Sequence, residues 1–237
     1  MLGVIINVIT VILGSSVGLL FKKGIPERVS KAAMTGLGAC TLYIGISGSL
    51  CGENVLILIA SVVLGAIVGT LLNIDGAINR AAQKVEDRFR KEGDNISIAE
   101  GMVSATLLFC VGSMTVTGSI QAGLTGDNSV LITKAMLDLV SSMMLASSLG
   151  IGVLFSAAAV FVIQGGLVLL SGLIAPLMST GAINEMTCAG SLLIVMIGLN
   201  LMGVTKLKVA DYLPAILFAP IIYQLLPLFE KLWTLIG

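Results

Sequence analysis

Few side chains in this chain could do chemistry, and most of them come in matched pairs. Thr115 lies within FCVGSMTVTGSIQAGLTGD (109–127) and Asn200 within IGLNLMG (197–203). Asp138 follows Lys134, Asp211 follows Lys208, and Glu100 and Glu185 each open an apolar run. Hydroxyls and amides in such surroundings coordinate a polar guest or satisfy backbone groups freed by a helix break. Ionisable groups inside a membrane span are candidates for substrate, ion or proton pathways. Histidine is absent, which removes His-based acid–base catalysis, the commonest zinc and copper ligand and a histidine relay. The cysteines, Cys40, Cys51, Cys110 and Cys188, show no metal-ligand spacing. Neither a Gly-x-Ser-x-Gly elbow nor a phosphate loop ending in lysine occurs. The expectation is a non-enzyme without metal or cofactor.

The elements holding these residues are membrane helices. Of 237 residues 57% are hydrophobic and 11% charged, with a mean hydropathy of +1.08, whereas a soluble domain is about a quarter charged. Eight apolar runs, at roughly 3–21, 31–50, 54–73, 99–122, 130–148, 150–175, 186–204 and 212–235, approach or exceed the ~18 residues that cross a bilayer core of about 30 Å. The first has its positive charges after the apolar stretch, the reverse of a signal peptide, and is read as a retained span. Eleven of the thirteen Lys and Arg residues fall in the loops after spans 1, 3 and 7. Basic residues accumulate on the cytoplasmic side, so both termini are expected outside. The segment 75–95 reads as a cytoplasmic amphipathic helix with Ile78, Ala81, Ala82, Val85 and Phe89 on one face. Zero net charge without an aromatic-interleaved basic patch argues against nucleic acid; the expected partners are membrane lipids and a small polar solute.

Span 4 aligns with span 7 without a gap, EGMVSATLLFCVGSMTVTG (100–118) against EMTCAGSLLIVMIGLNLMG (185–203), and the tetrapeptide GAIN precedes each, at 76–79 and 181–184. Spans 5 and 8 both begin near a Lys–Asp pair. Spans 3–5 and 6–8 therefore read as two copies of a three-helix unit, inverted because three is odd. The expected organisation is an N-terminal helix pair (1–52), repeat A (53–149) and repeat B (150–237). LGSSVG in span 1 recurs as LGAIVG in span 3, and their glycine pairs, Gly14/Gly18 and Gly65/Gly69, suit either packing between spans 1 and 3 or a homo-oligomer contact.

Inverted repeats in secondary transporters place substrate near the midplane at broken helices. The expected site joins Gly112, Ser113, Thr115, Thr117, Gly118 and Gln121 of span 4 to Gly198 and Asn200 of span 7, with Asp138 and Asp211 as gating or coupling groups. The competing structural reading is close packing by small residues, hydroxyls bonding back to their own helix, and interfacial Lys–Asp pairs. Gln164 is a further deep polar side chain. The functional expectation is a secondary transporter of a small polar solute in a bacterial cytoplasmic (inner) membrane. The alternatives are a channel and a scaffold or sensor working through 78–95. ILGSSVGLLFKKGIPER, the central FCVGSMTVTGSIQAGLTGD and the ADYLPAI start of the last helix together resemble the YqgA/YdfK family of bacterial inner-membrane proteins, a domain of unknown function. That resemblance covers essentially the whole chain and implies a multi-helix membrane protein, without assigning a substrate or site residues.

Overall fold

The computed structural model describes residues 1–22, 27–80 and 98–236. All the regular elements among them are helical: α1 (Leu2–Lys22), α2 (Glu27–Ser49), α3 (Val55–Leu72), α4 (Ile98–Cys110), α5 (Ser113–Leu124), α6 (Ser129–Leu149), α7 (Gly152–Leu169), the short α8 (Ser171–Ile174), α9 (Thr180–Leu201) and α10 (Ala215–Ile236). Residues 74–80 are also helical, and 3-10 turns cover Ala175–Leu177 and Val209–Tyr212. The all-α, polytopic class expected from the sequence is what forms. Apolar side chains such as Leu2, Ile9, Leu20, Leu71, Val162 and Leu173 are exposed on the outer surface, as suits lipid rather than water.

Among the described residues six helices are long and apolar enough to cross a membrane, or seven if α4 and α5 together make one crossing. These two replace the single predicted span 99–122 and are bent by 62°. A β-carbon on Gly101, near the start of α4, would touch Leu149 and Gly152, and one on Gly123, near the end of α5, would touch Val168 and Ser171. The bent pair thus travels alongside α7 from one end to the other, as one broken crossing would. The predicted second span, now α2, is 23 residues long and rich in small and hydroxyl residues, and it is not among those six.

Glycines set which helices touch and in which direction. A β-carbon on Gly14 or Gly18 would run into Ser142, Leu139 and Met143, so α1 lies directly on α6 and parallel to it. Gly65 and Gly69 likewise meet Ala215 and Asp211, placing α3 antiparallel to the start of α10. The two GxxxG faces are therefore buried within the chain. Their partners are α6 and the 211–215 segment, not each other and not a second copy. Gly38, Gly45 and Gly198 bring α2 and α9 into antiparallel contact. The main core, with Val11, Leu107, Phe109, Leu145, Val153 and Leu193, joins α1, α4, α6, α7 and α9.

Candidate functional site

The break between α4 and α5 is a local consequence of Val111-Gly112. Val111 N–H still bonds to Leu107 O at 2.8 Å, and the next turn begins with Thr115 N–H on Gly112 O at 3.1 Å. The buried Thr115 hydroxyl donates to Phe109 O at 3.1 Å, spanning the discontinuity. A hydroxyl here satisfies a carbonyl that the bend removed from the helical ladder, which answers why a membrane-depth segment turns polar.

Beside the break lies a polar cluster that no single stretch of sequence displays. Lys134 and Asp138, one turn apart on α6, form an ion pair at 2.6 Å with side chains 8% and 7% exposed. Asn7 of α1 donates to Asp138 Oδ2 at 3.0 Å and to Gln164 Oε1 of α7 at 3.2 Å. Asn7 and Gln164 are fully buried. Cys110, the last residue of α4, is within electrostatic reach of both Lys134 and Asp138. The parallel α1–α6 contact at Gly14 and Gly18 is what brings Asn7 level with Asp138. The interfacial Lys–Asp pair expected for span 5 is thus a pair, but a protein-enclosed one tied to two neighbouring helices.

This cluster is rich in hydrogen-bond donors. Gln164 Nε2 is buried with no partner among the described residues. Lys134 Nζ has three donors, and its one described hydrogen bond goes to Asp138. A buried amide donor without an acceptor costs roughly 1–3 kcal/mol, so the arrangement favours an acceptor-bearing guest, such as water, an anion or a carboxylate.

The expected Thr115–Asn200 pairing does not form. Val116 packs against Ile183 and Met186 in the first turns of α9, and Asn200 lies near the other end of that helix, about 20 Å on at 1.5 Å per residue. Helix α9 runs unbroken through Gly198 and Asn200. Gly198 serves close contact with α2. Asn200 clamps the following turn: it accepts from Leu207 N–H at 2.9 Å and Thr205 Oγ1 at 2.7 Å and donates to Leu207 O at 2.8 Å. Gly203, at φ 73°, lets the chain leave the helix there. In α5, Gly118 packs on Val130 and Leu131 of α6. Gln121 donates to Asp127 in the turn between α5 and α6, Thr117 is exposed, and Gly112 and Ser113 flank the break.

Asp211 and Glu185 act as caps between helices. Asp211 Oδ1 accepts Asp75 N–H at 2.8 Å at the start of the 74–80 helix, and buried Glu185 Oε1 accepts Glu53 and Asn54 N–H at 2.7 and 2.9 Å at the start of α3. Asn128 does the same for Gly3 at the start of α1, at 2.9 Å. Carboxylates at helix N-termini complement the dipole, and the helix that Glu185 caps is α3, not its own. Glu100 instead lines a cavity of about 340 Å³ with Asp75, Asn79, Asn200, Lys206 and Lys208. This cavity opens at the foot of α4, whose other end reaches the Lys134–Asp138 cluster.

Residue type and depth mark Asp138 and Gln164 in the sequence but leave unmarked Asn7, a lone amide in the run VIINVIT (4–10). Its cost in hydrocarbon was the available signal. Among the described residues no group of three or more His, Cys, Asp or Glu side chains could hold a metal ion.

The family model described as "Protein of unknown function (DUF554)" matches residues 2–224. The chain is similar to the uncharacterized membrane protein YdfK of Bacillus subtilis, 33% identical over 226 residues, which are 94% of this chain and 95% of that protein. It is also similar to the uncharacterized protein YqgA of Escherichia coli, 31% identical over 221 residues, covering 92% and 94% of the two chains. No solved structure matches.

Proposed function

Because the chain belongs to the DUF554 family, whose function is unknown, we propose a function from its own geometry: a secondary transporter that carries a small polar solute through the α4–α5 break and past the Lys134–Asp138 cluster. The observation that carries this reading is the buried ion pair bonded by Asn7, which Gln164 in turn engages, beside a broken span. A charged pair inside a membrane bundle is expensive to keep and is a functional candidate by default. The break supplies irregular backbone of the kind tolerated where it lines a cavity or is enclosed by protein.

In this reading the cavity at the foot of α4 is a vestibule, and the cluster is the selective point on the path. Spare donors on Lys134 and Gln164 select an anionic or zwitterionic solute through its oxygen atoms. Asp138 offsets the Lys134 charge when the site is empty, so binding and release exchange one partner of Lys134 for another. The site is thereby moved from the Thr115–Asn200 pair to Asn7, Lys134, Asp138 and Gln164, with Thr115 holding the break. The membrane is a bacterial cytoplasmic membrane, with the 75–80 and 206–208 ends inside, the side that basic loops favour.

The test is thermal stability of the detergent-solubilised protein against a panel of carboxylates, amino acids, inorganic anions and cations. A ligand of the native state raises its midpoint by mass action. One anionic or zwitterionic class should stabilise the wild type, and Gln164→Leu should weaken that response while still folding. Stabilisation by cations alone, or a flat response, contradicts the assignment.

A further inference from the structure

At the end of the bundle opposite the cavity, two cysteines from distant parts of the chain meet where the α2–α3 link touches the first turns of α9. Cys51, in the link between α2 and α3, donates to Gly48 O at 2.8 Å and lies 3.4 Å from Asn184 O in the first turns of α9. Cys188 is one helical turn beyond Asn184, and a helical side chain leans back over the preceding turn. Its sulfur donates to Ser49 O at 2.9 Å and lies against the Gly52 backbone. A β-carbon on Gly52 would stand 2.8 Å from that sulfur. Glycine at 52 therefore leaves Cys188 open to the link that carries Cys51. Cys51 is exposed, whereas Cys188 is 2% exposed.

We propose that Cys51 and Cys188 are a redox-modification site that forms a reversible disulfide when a disulfide-bearing oxidant reaches this end of the molecule. The exposed Cys51 loses its proton, and its thiolate attacks the oxidant's disulfide. One S–S bond breaks, a mixed disulfide forms and one small thiolate leaves. Cys188 then loses its proton and attacks the Cys51 sulfur, releasing the second small thiolate. Two protein thiols are oxidised and one small disulfide is reduced to two thiols. Partial desolvation pushes the Cys51 thiol above its ordinary range, with the nearby Glu185 adding to the effect, so the first step quickens as pH rises. The bond ties the α2–α3 link, whose N–H groups rest on Glu185, covalently to α9. This inference does not depend on transport.

The experiment treats the folded full-length protein with oxidised glutathione, alkylates residual thiols, and reads intact mass and cross-linked peptides. The wild type should lose the mass of two hydrogens and yield a Cys51–Cys188 peptide, with both changes reversed by dithiothreitol. Cys188→Ser should stop at a glutathione adduct on Cys51, and Cys51→Ser should leave Cys188 reduced. Wild type that accumulates the Cys51 adduct without the cross-link overturns the proposal. So does wild type whose Cys51 and Cys188 both stay reduced while unfolded protein is oxidised.

Discussion

At the residue scale, the Lys134–Asp138 pair makes the strongest demand. Removing one partner of a buried pair leaves the other charge uncompensated, at a cost of roughly 3–5 kcal/mol. Asp138→Asn should therefore destabilise the protein by about that amount, and Lys134→Met combined with Asp138→Leu should recover most of it. Equilibrium unfolding of the single and double variants checks this. Asn200→Leu behaves differently, because Asn200 holds the 205–207 turn. It should cost about 1–3 kcal/mol for the unpaired groups and leave the panel's ligand response intact. Asp127 offers a pH test. Hydrogen bonds from Ser129, then Gln121, hold its carboxyl below the ordinary carboxylate range. A depressed folded value gives stability present above the unfolded value and lost as pH falls through the folded one. The melting difference between wild type and Asp127→Asn should be present at neutral pH and vanish on acidification. Residue type alone revealed Asp138 and Gln164. It could not reveal that Asn7 faces them, because the α1–α6 register is a property of two helices.

At the element scale, glycine contacts decide the bundle. Any side chain at Gly14 would strike Ser142 and the Leu139 carbonyl. Gly14→Val should cost roughly 1–3 kcal/mol through overpacking and pull Asn7 away from Asp138, so the ligand response should fall with it. Gly36, on the exposed side of α2, has nothing within 4 Å of an added β-carbon. Gly36→Ala should be neutral or stabilising by up to ~1 kcal/mol. Thermal melts of both variants separate a packing glycine from a permissive one. The helical pattern and the weak point at Gly112 were legible because apolar runs and glycine signal them directly. The 62° bend and the unbroken course of α9 were not: both carry similar small and polar residues, and only their neighbours distinguish a break from a packed helix.

At the scale of the whole molecule, the contacts sort the chain into two ends. Gly3, Asn128, Cys51 and Asn184 gather at one, and Asp75, Glu100, Lys206 and Lys208 at the other. Basic loops read from sequence anticipate the second group as the cytoplasmic end. Cys51 should then be alkylated by an impermeant maleimide added to intact cells, slowly at neutral pH and faster as pH rises, consistent with its raised thiol. Labelling only after permeabilisation would reverse the orientation. The most direct test of transport is solute uptake into liposomes reconstituted with wild type, Gln164→Leu and the permissive Gly36→Ala, using whichever class stabilises the purified protein. Saturable uptake by wild type and Gly36→Ala, with at least a tenfold loss in Gln164→Leu, is the predicted result. Equal uptake by all three, or none above empty liposomes, would contradict the claim that the α1–α6–α7 cluster lies on a transport path.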